Sequence, residues 1–461
     1  MFSSTGLIYA SIFGFIVLVV LRRPSVAMGA FMCTYGLEQW AQSRNSWFFI
    51  NSSLTNMATA GLLVWALVVR QIKGQGTLGD GVTPMGWVII ALFGWSAASI
   101  LWSIDGGSAI GNWKSSLPYL AASIVLLPLT IRNLADVKAG LLMTVLLGVF
   151  ILLLLLTTTD WDGRTITLQG SAASIKSNKG NPLAIASLAG WIALIALLCN
   201  FRGLGPLMVV VRYSVVLLGL VIAMRSGSRG QVFALVTAGL LFLPASRGLQ
   251  NAKQIVLLTI SAITTVVVAV LTFQFLGLGE STRWSSEEMF ETYGNSRLGP
   301  AGIVIERWWD EGPITWIFGL GTSASYHAEL IGFYPHLVAL EVLGELGVVG
   351  FVLLCIVAFG TIITTIRLSQ IAPDLESRGV AAAMGGLFMF EVILSFKQGS
   401  LLGTPFSFGF ALILARMWQQ AKQDGYLASA GAMIPQTWLA AQQQQSPQAE
   451  AADQQPHWLD D

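Results

Sequence analysis

An all-α protein threaded repeatedly through a membrane is the fold class this sequence predicts, and three observations carry it. Of 461 residues, 54% are hydrophobic and only 11% are charged, against about 25% charged in an ordinary soluble domain. Apolar windows of about 17 to 23 residues, long enough to cross a ~30 Å hydrocarbon layer as helices, recur between short polar loops. No sustained alternation of apolar and polar residues competes with them, which argues against a β-barrel.

In chain order, the windows open near Leu7, Ser25, Leu54, Pro84, Leu117, Ala139, Pro182, Leu207, Gly230, Ile255, Pro335, Gly379 and Leu401, about thirteen spans in all. The first has no basic segment before it and no small-residue cleavage site, so it reads as a retained helix rather than a signal peptide. Residues 1–276 thus form an N-terminal membrane region, 277–334 a long loop, 335–420 a C-terminal membrane region and 421–461 a tail. That tail (AAQQQQSPQAEAADQQ) is too poor in apolar residues to bury a core and reads as disordered.

Basic residues mark alternate loops: Arg22-Arg23, Arg70 and Lys73, Arg132 and Lys138, Arg202, Arg247 and Lys253, Arg367 and Arg378, then Arg416 and Lys422. The positive-inside rule makes these loops cytoplasmic, with the N-terminus outside and the C-terminus inside. The opposite loops carry Asp105, Asp160, Asp162 and an acidic stretch from Glu280 to Glu311. Two of those outer loops, Asp160 to Asn181 and Gly277 to Tyr334, are longer than a connector needs, and loops of that length are commonly functional or disordered. The three cysteines, Cys33, Cys199 and Cys355, fall in separate apolar windows and read as buried thiols. A net charge of +1 gives no electrostatic footprint for nucleic acid.

The chemistry-bearing residues gather on the outer side. In AMRSGSRGQVFALV, Arg225 and Arg229 flank a Ser-Gly-Ser turn and Gly230 opens the next helix. An arginine at membrane depth costs on the order of 3 kcal/mol, so a pair in one short segment needs a reason. Guanidinium forks match phosphate oxygens, and a helix start adds free N–H groups, so the segment is a candidate anion seat; the plainer reading is that both side chains snorkel to headgroups. His336 follows Pro335 where a helix must begin, at the rim of a span, and is the side chain best suited to take a proton at neutral pH. An interfacial histidine bonded to headgroups is the alternative. Glu341 and Glu345 share a helical face that His336 borders; they are candidates to orient the imidazole, or else carboxylates that pack helices. His327 and His457 lack comparable settings, and three scattered histidines compose no metal site.

SAASILWSIDGG (Ser96 to Gly107), SGSRG (Ser226 to Gly230) and YPHLVALEVLGELGVVG (Tyr334 to Gly350) together resemble the O-antigen ligase and polymerase superfamily of bacterial envelope enzymes. The resemblance covers most of the membrane region, with the long loop immediately before the Pro-His motif. Arg297 and Gly319-Leu320-Gly321 match features that family carries in its loop, whereas Leu337 replaces a frequent Asn and Gly106 a frequent Pro. The resemblance implies a GT-C-like glycosyltransferase of the bacterial inner membrane, active at its periplasmic face and using an undecaprenyl diphosphate-linked glycan as donor, with no cofactor and no metal. An acceptor hydroxyl attacks the anomeric carbon while the lipid diphosphate departs. His336 is then the base; Arg225, Arg229 and Arg297 hold the diphosphate, and the long loop is a lid that excludes water.

The implied acceptor is another lipid-linked repeat unit, which makes the chain a polymerase. Ligation to lipid A core, transfer to protein, transport of lipid-linked glycan and non-catalytic binding are the rival readings. The implied partners are donor and acceptor glycans, membrane lipids, and a chain-length regulator or flippase. Trp308, Trp309, Trp316, Tyr326 and Phe333 are candidate stacking surfaces for sugar rings, or else the loop's own core.

Overall fold

The computed structural model describes residues 4–75, 82–169, 179–201, 207–248 and 298–423, with positions 256, 260, 264, 267 and 271. Arg297, most of the window near Ile255 and the tail after residue 423 lie outside the described residues. The chain runs through α1 (Ser4–Arg22), α2 (Val26–Met32), α3 (Thr34–Arg44), α4 (Ser46–Ile50), α5 (Ser53–Ile72) and α6 (Pro84–Ala98), then α7 (Gly106–Leu120), α8 (Leu127–Leu129) and α9 (Leu134–Thr158). A hairpin of β1 (Trp161–Asp162) and β2 (Thr165–Ile166) precedes α10 (Pro182–Leu198), α11 (Leu207–Arg225) and α12 (Arg229–Arg247). After the undescribed stretch come α13 (Gly299–Asp310), α14 (Pro313–Phe318), α15 (Val338–Ile371), α16 (Leu375–Ser395) and α17 (Pro405–Gln423).

Among the described residues, eight helices are long and apolar enough to cross a membrane: α1, α5, α6 with its extension to Trp102, α9, α11, α12, α15 and α16. The chain is therefore an all-α, multi-pass membrane protein by length and composition of its helices. Among the described residues eight of the thirteen windows meet that standard; the one near Ile255 falls mostly outside them, and three others differ for physical reasons. The window near Ser25 is not one span: it breaks at Cys33 and Asn45 into α2, α3 and α4, with every residue of α2 buried. Its buried polar residues satisfy one another, since Gln39 Nε2 donates to Gln42 Oε1 at 3.3 Å and Gln42 Nε2 to Glu38 Oε1 at 2.9 Å. The window near Leu117 starts earlier, at Gly106, and passes through a π-helical segment, Ala121–Leu126, between Pro118 and Pro128. Each proline removes an N–H from the helical ladder, and the wider register absorbs the defect. α10 is apolar but only 17 residues long.

Exposure shows which helix faces are left uncovered by the protein itself. On α15, Val348, Val352, Ile356, Phe359, Ile363 and Ile366 form an exposed apolar stripe, while Val357, Thr361, Thr365 and Leu368 of the same helix are buried. Steps of three and four residues keep each set on one face. A stripe of such side chains is stable against hydrocarbon and costly against water. Helices also approach closely where side chains are small, as expected when packing rather than water exclusion joins them. A Cβ at Gly29 would lie 2.6 Å from Thr144 N, so α2 and α9 meet almost backbone to backbone.

The basic helix ends gather at one end of the bundle. Lys73 Nζ donates to Arg22 O at 3.0 Å, Arg70 pairs with Asp136, Lys138 pairs with Glu376, and Arg247 bonds Asn200, whose amide reaches Leu375 O at 2.7 Å. Loops predicted to share one side of the membrane from charge alone are thereby joined in one network.

Candidate active site

At the other end, α11 stops at Arg225 and α12 starts at Arg229. Between them Ser226, Gly227 and Ser228 are buried, and Gly227 has φ +64°, a value that favours glycine and lets the chain reverse in three residues. Both guanidinium groups are half-buried. Arg225 Nε and Arg229 Nη1 are fully buried and find no hydrogen-bond acceptor among the described residues. Buried donors of this kind are rare in folded proteins and demand an explanation. Ser228, at the N-cap of α12, makes no side-chain cap bond, so the helix's first N–H groups are left to other acceptors.

Three residues join this turn that its sequence motif does not include. The β1–β2 hairpin pairs Trp161 with Ile166 and Asp162 with Thr165, and the ion pair of Lys179 with Asp162 at 2.7 Å ties it to the chain before α10. That placement sets the Trp161 ring 4.8 Å from the Arg225 guanidinium carbon, a cation–π contact. It also brings Arg164, at the hairpin tip, against the turn: a Cβ on Gly227 would be 3.6 Å from Arg164 Cδ. The signal was present in DWDGRTIT, where Asp-Gly follows a tryptophan and precedes a β-branched run, a short-hairpin pattern. Lys397, just past α16, lies against Gly230, and its Nζ donates to Gln231 Oε1 at 3.1 Å. Arg225, Arg229, Arg164 and Lys397 thus surround one turn.

The second group is built on a broken helix. Within α15, Gly347 has φ +67° and ψ −169°, a conformation essentially restricted to glycine. The break frees carbonyls that a continuous helix would use, and each finds a donor. Leu320 N bonds Gly344 O at 2.9 Å, Gly321 N bonds Glu345 O at 2.8 Å, and Trp95 Nε1 bonds Leu346 O at 3.0 Å. The approach is tight enough that a Cβ on Gly319 would sit 2.2 Å from Glu345 O. The same loop is fastened to the end of α6 and the residues that follow it: Ser96 and Thr322 hydroxyls are 2.7 Å apart, Thr322 N donates to Ser99 Oγ at 2.9 Å, and Ser103 Oγ donates to Thr322 O at 2.8 Å. Segments of SAASILWSIDGG, GLGTS and ELG, distant in sequence, therefore meet.

Glu341 and Glu345 are both buried here. Glu345 holds the loop: Oε2 accepts from Ser323 N at 2.6 Å, and Oε1 accepts from Ser325 N at 3.1 Å and Ser325 Oγ at 2.6 Å. Glu341 Oε1 accepts from Leu401 N at 3.1 Å, while its Oε2 is buried with no hydrogen-bond partner among the described residues. Tyr326, beside them, has its hydroxyl pKa pushed up to about 12, by burial first and then by the charges of Glu341 and Glu345, so it remains a hydrogen-bond donor at neutral pH. Asp105 caps α7 through Ser108 N at 2.9 Å, and that bond, with His327 nearby, holds its carboxyl below the usual range.

His336 has φ +62°; it and Ser323 are the two non-glycine residues with left-handed backbone among the described residues. Strain of this kind collects at functional sites. The imidazole packs edge-on to Tyr334, ring centroids 4.1 Å apart, with Phe333 at 5.9 Å. α15 begins only at Val338, so His336 stands on the approach to the helix rather than within it.

The sequence candidates fall into three groups: arginines with Trp161, glutamates with the Ser323–Ser325 loop, and His336 with its two aromatic neighbours. The segment from Lys397 to Leu401 serves the first two, contacting Gln231 at one end and Glu341 at the other. The loop's tryptophans divide: Trp308 is buried with Val304, Leu320 and Ala324, while Trp309 is exposed and stacks on Trp316 at 4.6 Å. Compared with known proteins, the chain matches no family model and no curated protein significantly.

Proposed function

We propose that this protein is a membrane glycosyltransferase that joins polyprenyl diphosphate-linked repeat units into a surface polysaccharide. The observation that carries the reading is the turn at Ser226–Gly230, where two arginines present buried N–H donors with no acceptor among the described residues and two further cations close around them. A diphosphate supplies several anionic oxygens, and planar guanidinium forks are matched to them. In the reaction an acceptor hydroxyl passes its proton to His336 as its oxygen bonds to the anomeric carbon. The bond from that carbon to the diphosphate oxygen breaks, and the charge on the leaving group is taken up by Arg225 and Arg229. Arg297, the loop arginine of the resemblance, joins them on this reading. The proposal includes a GT-C-like architecture of about thirteen spans, a site on the periplasmic face of the bacterial inner membrane, an external N-terminus and a cytoplasmic C-terminus.

A polymerase needs one class of lipid-linked substrate as both donor and acceptor, and its loss leaves single repeat units on the carrier lipid. Deletion cells with single lipid-linked units support this reading. Deletion cells with long lipid-linked chains that fail to reach lipid A core make the protein a ligase instead. The break in α15 at Gly347 also suits a transporter, whose binding sites are built from discontinuous helices. Movement of labelled lipid-linked glycan across proteoliposomes, without product formation, is the outcome that favours that second reading.

A further inference from the structure

Glu341 and Glu345 line a cavity of about 220 Å³ together with Asn112, Ser116, Tyr326 and Ser400. We propose that this cavity is a subsite for one sugar residue of the glycan, with Glu341 Oε2 accepting a hydrogen bond from a ring hydroxyl. The inference rests on the glycan-transfer reading and adds to it a recognition site away from the arginine turn.

The argument starts from Glu341, 6% exposed, whose second carboxylate oxygen has no donor among the described residues. Leaving a buried carboxylate oxygen unpaired is costly, so a ligand that brings a donor gains there. The other polar side chains of the lining are hydroxyls and one amide, each able to donate or accept, which suits the vicinal hydroxyls of a pyranose, while Val342, Leu346 and Leu402 offer apolar surface to the carbon face of a ring. Size agrees: cavities for drug-sized ligands run ~300 to 1,000 Å³, and this smaller one suits a single ring rather than a polyprenyl chain. A hard cation is a poorer fit. It gathers six or more oxygens, commonly with several carboxylates, and Glu345 has already committed both of its oxygens to three donors from Ser323 and Ser325. The cavity is also tied to the remainder of the site, because Leu401 N, which fixes Glu341 Oε1, lies on the segment whose Lys397 abuts the arginine turn.

The test uses the full-length protein in nanodiscs and two probes. One is the oligosaccharide released by mild acid from the host's polyprenyl diphosphate-linked glycans; the other is undecaprenyl diphosphate without sugar. Glu341→Gln keeps the shape and the Leu401 contact, and Ser116→Phe fills the cavity from its rim. Both variants are expected to bind undecaprenyl diphosphate as wild type does. Glu341→Gln is expected to weaken oligosaccharide binding about tenfold or more, and Ser116→Phe to remove it. Equal oligosaccharide affinity in wild type and both variants overturns the subsite, as does absence of oligosaccharide binding by wild type. Thermal stabilisation by sodium chloride over choline chloride that Glu341→Gln abolishes, with oligosaccharide binding unchanged, makes the cavity an ion site and also overturns it. If the oligosaccharide binds in a Glu341-dependent way while undecaprenyl diphosphate does not bind at all, the subsite stands and the diphosphate seat falls.

Discussion

Left-handed backbone at His336 costs about 1 to 2 kcal/mol for a residue with a side chain, and the fold retains it beside Pro335 and against Tyr334. If that strain serves the position of the imidazole, its relief and the loss of function are separable. His336→Ala is expected to lower glycan transfer by ~10² to 10⁴-fold in a protein that still folds. His336→Gly, equally inactive, is expected to be more stable than the alanine variant by about 1 kcal/mol, read from unfolding in parallel. Wild-type turnover by either variant removes His336 as base. At the arginine turn, Arg225→Ala and Arg229→Ala are each expected to weaken donor binding, and Arg229→Lys to restore it only in part, because an ammonium cannot reproduce a bidentate fork. Unchanged donor binding in both alanine variants contradicts the seat. The residue types and their spacing marked Arg225, Arg229 and His336 as candidates in the sequence. The bonding of Glu345 was not, since its partners Ser323 and Ser325 are joined to it only by the fold.

At the scale of elements, the break in α15 organises the site. Hydrophobicity alone predicts an uninterrupted span from Pro335 onward, because glycine and glutamate within GELGVVG leave the window strongly apolar. What the pattern does not reveal is that the loop around Gly319 approaches so closely that no side chain fits at position 347: a Cβ on Gly347 would be 2.3 Å from Ile317 O. Gly347→Ala is accordingly expected to destabilise this region by about 1 to 3 kcal/mol. Faster hydrogen exchange at the Leu320 and Gly321 amides, which bond the freed carbonyls, is the local readout. Unchanged exchange there indicates a helix that passes through Gly347 without a break. The hairpin at Trp161–Ile166 shows the reverse case. Its turn at Gly163 was readable, but its contact with Arg225 spans two helices and has no local signature.

Across the whole molecule, the alternation of basic loops was the most informative feature of the sequence. It grouped Arg22, Lys73, Lys138 and Arg247, and the fold joins those ends in one network. Span counting found the eight long apolar helices of the described residues, but windows such as Ser25 to Trp40 mix apolar and polar residues that the fold buries in short helices instead. The orientation is checked by labelling single cysteines in intact cells. Glu329→Cys is expected to react with an impermeant reagent from outside, and Lys73→Cys only after permeabilisation. The opposite pattern inverts the molecule and removes the site from the periplasmic face. The central claim, transfer from a lipid diphosphate to a second glycan on the same face, is tested most directly by stoichiometry in proteoliposomes. Purified protein is given polyprenyl diphosphate oligosaccharide alone, and new glycosidic linkages and released lipid diphosphate are counted together. One lipid diphosphate released for every linkage formed, both lost in His336→Ala, is the predicted result; intact lipid-linked units with no release and no lengthened chain would contradict it.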